Sequence, residues 1–136
     1  MPGVESLRIK RKLERVLRDL GCHDRELSIL FTDDEGIARL NAQYLGREGA
    51  TNVLAFSMLE GSTPTDVGPM LGDVVVSVER ALAEADEAGV SPEWAIDRLL
   101  IHGLLHLLGY DHESSAAEAE RMECEERRLL AMIHKG

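Results

Sequence analysis

Aromatic side chains are scarce in this chain. Trp94, Tyr44, Tyr110, Phe31 and Phe56 are all that its 136 residues contain. So small a supply disfavours an RNA module that reads bases on a stacked aromatic platform. Cysteine is scarcer still: Cys22 and Cys124 stand far apart, in no paired spacing. That speaks against a disulfide framework and fits a reducing, cytoplasmic setting. No apolar run reaches the roughly 18–20 residues that span a bilayer, so no membrane role is expected. The opening Met1-Pro2-Gly3-Val4-Glu5-Ser6 lacks a basic-then-apolar signal pattern. Positive charge is also short. Fifteen Lys and Arg face 25 Asp and Glu, a net charge of −10, which weighs against a large nucleic-acid interface. The deficit lies in residues 51–136. Residues 1–50 are balanced and hold a basic cluster of Arg8, Lys10, Arg11, Lys12, Arg15 and Arg18, which reads first as a solvated helix face.

What is present suits a globular protein. Hydrophobic residues make up 44% and charged ones 29%, and the length suits one domain spanning 1–136. Apolar positions at Leu7, Ile9, Leu13, Val16, Leu17 and Leu20 predict a helix over 5–20, closed by Gly21. Alternation predicts strands over 26–31, 52–58 and 71–76. The run Val74-Val75-Val76 in the last implies burial on both faces. Thr32 with Glu35 reads as a capping box for a helix to about Tyr44. Further helices are expected at 78–88, at 91–108 from the Ser91-Pro92 start, and from Ser115 to about Ile133. Residues 59–70 read as a loop. The sum is an α+β single domain, with a small mixed sheet of about three to four strands and about five helices.

The chemistry concentrates in one segment. His102 and His106 are four apart in the most apolar helix, so both imidazoles share one face, one turn apart, the geometry that chelates a metal. Gly109 can reverse the chain, and His112 follows six residues after His106. Three imidazoles with one open position compose a catalytic rather than a structural zinc site. One zinc ion held by His102, His106 and His112 is therefore expected, on a zincin-like metal-binding helix. The spacing H-x-x-x-H-x-x-G-x-x-H is that of metzincin proteases, which carry a general-base Glu directly after the first His. Here that position is Gly103, so peptidase chemistry of that kind is disfavoured. His23 and His134 read as surface residues. Cys124 reads as helix surface or the edge of the core.

The run His102 to His112 resembles the H-G-x-L-H-L-x-G-Y-D-H signature of the YbeY family of bacterial rRNA maturation factors. Leu40-Asn41 with Tyr44, then Thr51-Asn52-Val53-Leu54 and Phe56, resembles that family's L-N-x-x-Y-R-G-K-D-x-P-T-N-V-L-S-F stretch. Leu71-Gly72-Asp73-Val74-Val75 resembles its L-G-D-[IV]-V strand. The likeness covers about residues 26–133, and the family's opening strand is not apparent ahead of the helix at 5–20. The resemblance implies a zinc-dependent, single-strand-specific endoribonuclease acting on rRNA rather than DNA. It also implies work at the small-subunit rRNA 3′ end and in ribosome quality control. The partners implied are the ribosomal small subunit and an assembly GTPase.

The family's Arg after the motif Tyr is replaced by Leu45. Arg47, two residues on, is the alternative phosphate-facing cation, with an ordinary loop charge as its other reading. Asp111 and Glu113, beside the third ligand, and Asp73 are the candidate proton acceptors, with turn-capping or structural roles as their alternatives. Two other classes stay open: a metallohydrolase of a different substrate, and a non-enzymatic assembly factor with a structural zinc.

Overall fold

The computed structural model describes residues 6–22, 24–57, 70–110 and 115–134. Within them run α1 (Ser6–Asp19), β1 (Glu26–Thr32), α2 (Asp34–Leu45), β2 (Val53–Ser57), β3 (Met70–Ser77), α3 (Val78–Ala88), α4 (Pro92–Leu107) and α5 (Ala116–His134). Three strands and five helices match the expected α+β class. Nearly all of the expected loop at 59–70 lies outside the described residues, and Met70 opens β3. Among the described residues no helix is long and apolar enough to cross a membrane.

The sheet order is β1-β3-β2. β1 runs parallel to β3 and β2 antiparallel to it. As the central strand, β3 is covered on both sides. Val74 and Val76 pack with α1 and α4 residues, while Val75 packs with Ile37 of α2. The valine run is thus buried on both faces, as expected. α4 is the core helix, with ten of its sixteen residues buried, including Leu99, Leu100, Ile101, Leu104 and Leu105. α5 closes over it through Met122, Leu129, Leu130 and Ile133.

Local sequence explains the element ends, with two corrections. α2 is capped by Asp33, not Thr32. The Asp33 carboxylate accepts from the Gly36 N–H at 2.7 Å, and Thr32 stays in β1 as the partner of Ser77. An Asp is at least as good a cap as a Thr, and the strand claims the Thr. Leu7 is 60% exposed, because it lies on the far side of α1 from Ile9, Leu13 and Val16. The other caps behave as read. Ser91 accepts from the Trp94 N–H at 3.1 Å, and Ser115 accepts from the Glu118 N–H at 3.1 Å. At the end of α4, Gly109 takes φ 101 and the Tyr110 N–H returns to the Leu105 carbonyl at 3.1 Å, which turns the chain back.

Candidate active site

α4 approaches the sheet at Gly103. A Cβ there would sit 2.7 Å from Cγ1 of Val74 and 3.4 Å from a Val53 methyl. The position that holds a general-base Glu in metzincins is therefore filled by the sheet's own valines. Glycine here lets the helix lie against β3 and β2. The residues on either side of the contact, His102 and His106, are carried to its margin. His106 is exposed and His102 half-buried. Although the helix that bears them is the most apolar of the chain, both imidazoles stand at its rim, because it lies over one edge of a narrow sheet.

The two histidines line one groove of about 750 Å³, bounded by the whole of β2, the C-terminal turn of α4, Leu45 at the end of α2 and Arg47 just beyond it. Arg47 is exposed and lines the same groove as the imidazoles. Its placement follows from Asn41, a buried residue of α2. The Asn41 carbonyl accepts from the Arg47 N–H at 3.3 Å, and the Asn41 Nδ2 donates to the Gly49 carbonyl at 3.1 Å. Gly46, at φ 65, reverses the chain between them. The Asn of the L-N-x-x-Y motif thus organises the segment that carries the groove's cation. Asn52 does similar work at the other end of the groove: its Nδ2 donates to Glu84 at 3.1 Å and its carbonyl accepts from the Ser77 N–H at 3.0 Å.

His102 Nδ1 is held by the Glu126 carboxylate of α5 in a short hydrogen bond. A carboxylate on one ring nitrogen fixes the tautomer and turns the other nitrogen outward as a ligand. Sequence reasoning missed Glu126. A signal was available: Met122, Glu126, Leu129 and Ile133 follow one helical stripe, and an acid on an apolar stripe is costly unless it has a partner.

His112, Asp111 and Glu113 lie outside the described residues. Among the described residues no three metal-ligating side chains converge. The pair that is described does fit a metal: two imidazoles one turn apart, one of them oriented by a carboxylate, at an open groove. The turn at Gly109 and Tyr110 is fixed to α5, where the Arg121 guanidinium lies 4.7 Å over the Tyr110 ring. Asp73 is elsewhere. It shares the α2 side of β3 with Val75, whereas Val74 and Val76 face α4, so the alternation of the strand points it away from the imidazoles. Cys124 is exposed on α5, as read. His134 is not a bare surface residue, since its Nε2 lies 2.8 Å from the buried Asp97 carboxylate.

The fold and site are those of a small α+β domain with an oriented imidazole pair at the side of an open, cation-bearing groove. The family model described as Endoribonuclease YbeY matches residues 4–134. The Endoribonuclease YbeY of Geobacter metallireducens is 46% identical over 129 residues, 94% of this chain and 86% of that one. The Geobacter sulfurreducens protein of the same name is 46% identical over 131 residues, 95% of this chain and 87% of its own length. The solution structure of TM1509 from Thermotoga maritima superposes with a TM-score of 0.66 at 26% identity, over 92% of this chain and 78% of that one. The chain belongs to the YbeY family of endoribonucleases.

Proposed function

We propose that this chain is a zinc-dependent, single-strand-specific endoribonuclease of rRNA maturation, acting at the small-subunit rRNA 3′ end and in ribosome quality control. Its setting on this reading is the cytoplasm, with the ribosomal small subunit and an assembly GTPase as partners. The observation that carries the reading is the shared groove: His102, His106 and Arg47 line one cleft, and Glu126 holds His102. His102, His106 and His112 would hold the ion. When bound, a divalent ion supplies Lewis-acid charge to a phosphodiester and makes water more acidic.

The chain's own residues do the rest. Arg47 grips a non-bridging phosphate oxygen and offsets the charge that develops there. Glu126 holds the proton of His102 at Nδ1 and fixes the ring. Asp111 accepts the proton lost by the attacking hydroxyl, from water or from the substrate's own 2′-OH, and returns it to the leaving ribose oxygen as that P–O bond breaks. On this reading the RNA strand lies in the groove along β2, and Gly103 lets α4 pack close enough to the sheet to set the imidazoles at the groove's side.

The test is cleavage of single-stranded RNA by zinc-loaded wild type and by His106→Ala, both first confirmed as folded by circular dichroism. Cleavage by the wild type alone supports the reading, and equal cleavage by both overturns it. Arg47→Ala is expected to slow cleavage by about 10²-fold, the scale of losing one charge-stabilising donor. An unchanged rate would remove Arg47 from the site.

A further inference from the structure

The basic cluster of α1 is not spread around the helix. Arg8, Arg11, Lys12 and Arg15 follow the spacing i, i+3, i+4, i+7 and so form one stripe. The stripe does not simply face solvent. It walls a groove of about 510 Å³ at the start of α4 and the end of α5, whose other wall holds the Trp94 and His134 side chains. The two rings are 6.4 Å apart, centre to centre, and tilted by 30°. His134 is held in place by Asp97, and Asp97 also receives the Lys12 ammonium at 2.8 Å. Glu93 takes Lys12 and, at 3.0 Å, Arg8. The two acids of the cluster thus match Lys12 and Arg8, which leaves the charge of Arg11 and Arg15 as the local excess. Both are exposed, and Arg15 commits one N–H to the Met132 carbonyl at 3.1 Å. On a chain of net charge −10, this is a confined positive groove with an aromatic wall.

We propose that this groove is a second docking site for single-stranded RNA, separate from the cleavage groove, with backbone phosphates on Arg11 and Arg15 and a base against Trp94. The identity of the polyanion rests on the nuclease reading above; the site itself rests on the α1 stripe and the ring pair. Phosphate neutralisation by arginine together with a π-face is the chemistry by which single strands are held without sequence preference. Trp94 precedes His102 by eight residues on the same helix, about 12 Å along the axis and about 80° around it. An RNA segment docked here is therefore close to the imidazole groove and on an adjoining side of α4. This arrangement reconciles an acidic protein with a polyanionic substrate, since the attraction is local.

Trp94 is the chain's sole tryptophan, so all tryptophan emission comes from the wall of this groove. The experiment titrates a short unstructured oligouridylate into His106→Ala protein, or into wild type under chelation, at stepped salt. The RNA is expected to change Trp94 emission. The double variant R11Q/R15Q, checked by circular dichroism, should bind about 10-fold more weakly at 0.1 M salt. Its slope of log affinity against log salt should flatten by about 1.4, two lost contacts at about 0.7 each. R11K/R15K should keep the slope. Unchanged affinity and slope in R11Q/R15Q, or binding with no change in Trp94 emission, overturns the proposal. Wild-type cleavage measured in parallel separates the two readings. Binding at this groove with no cleavage sinks the nuclease reading and leaves the docking site. Cleavage with binding indifferent to R11Q/R15Q sinks the docking site alone.

Discussion

Glu126 has one hydrogen-bond partner that matters, and the effect of losing its charge can be anticipated. In Glu126→Gln the side chain keeps its shape but accepts from His102 Nδ1 as a neutral group, so the ring loses the charged partner that orients it. The expected result is a 10- to 100-fold loss of zinc affinity, read by competition against a chelator, with a matching loss of cleavage. Gly103 makes the opposite kind of prediction, about stability. In Gly103→Ala the new methyl meets Val74 at 2.7 Å. Overpacking of this kind costs about 1–3 kcal/mol, measurable by urea denaturation, and Val74→Ala in the same chain should return part of it. The two residues also differ in how well the sequence revealed them. Gly103 stood out because a motif expects a side chain there. Glu126 did not, because α5 is rich in acids and only its packed stripe singles this one out.

Among the elements, α1, α4 and α5 are clamped by charge as well as by packing. Lys12 reaches Asp97, which is 3% exposed, and Glu93. Burial works against the Lys12 charge, but its hydrogen bonds to Asp97 and then Glu93 outweigh that and hold its pKa above the ordinary 10.5. The Lys12 hydrogen bond in turn holds the Glu93 carboxyl below its ordinary 4.5. A carboxyl lowered in the folded state adds stability above its free pKa and loses it as pH falls through the folded one. A raised ammonium adds stability below 10.5 and loses it as pH rises through its folded value. Thermal melts across pH should therefore show a broad plateau that falls off below about pH 4.5 and above about pH 10.5. Lys12→Met should blunt both edges. It should also cost about 3 kcal/mol at neutral pH, because the buried Asp97 keeps only His134. Helix periodicity located these elements well. It did not reveal the clamp, because its partners are far apart in the chain, 81 residues for Lys12 with Glu93 and 37 for Asp97 with His134. The cap of α2 lies one residue beyond the Thr32 of the capping-box pattern, since whether Thr32 caps a helix or ends a strand depends on its pairing with Ser77 across the sheet.

At the scale of the whole molecule the three apolar clusters are tied together by shared elements, since β3 contributes to all three and α4 to two of them. One cooperative transition is expected, with far-ultraviolet dichroism and Trp94 emission melting together; an earlier emission change would mean that the α1–α5 end opens by itself. The fold class, the strand and helix count and the imidazole pair were legible in the sequence because each is written as local periodicity. The groove was not, because it is made by two segments, 45–57 and 102–109, that meet only in three dimensions. The contact at Gly103 also bears on what this architecture can become. Acquiring the metzincin base would take more than one codon change, since a glutamate at 103 has no room until the central strand gives up the bulk of Val74, and that alone loosens the core. Each single step is a loss, so drift has no downhill path between the two chemistries, and a shared histidine spacing does not make one enzyme a neighbour of the other.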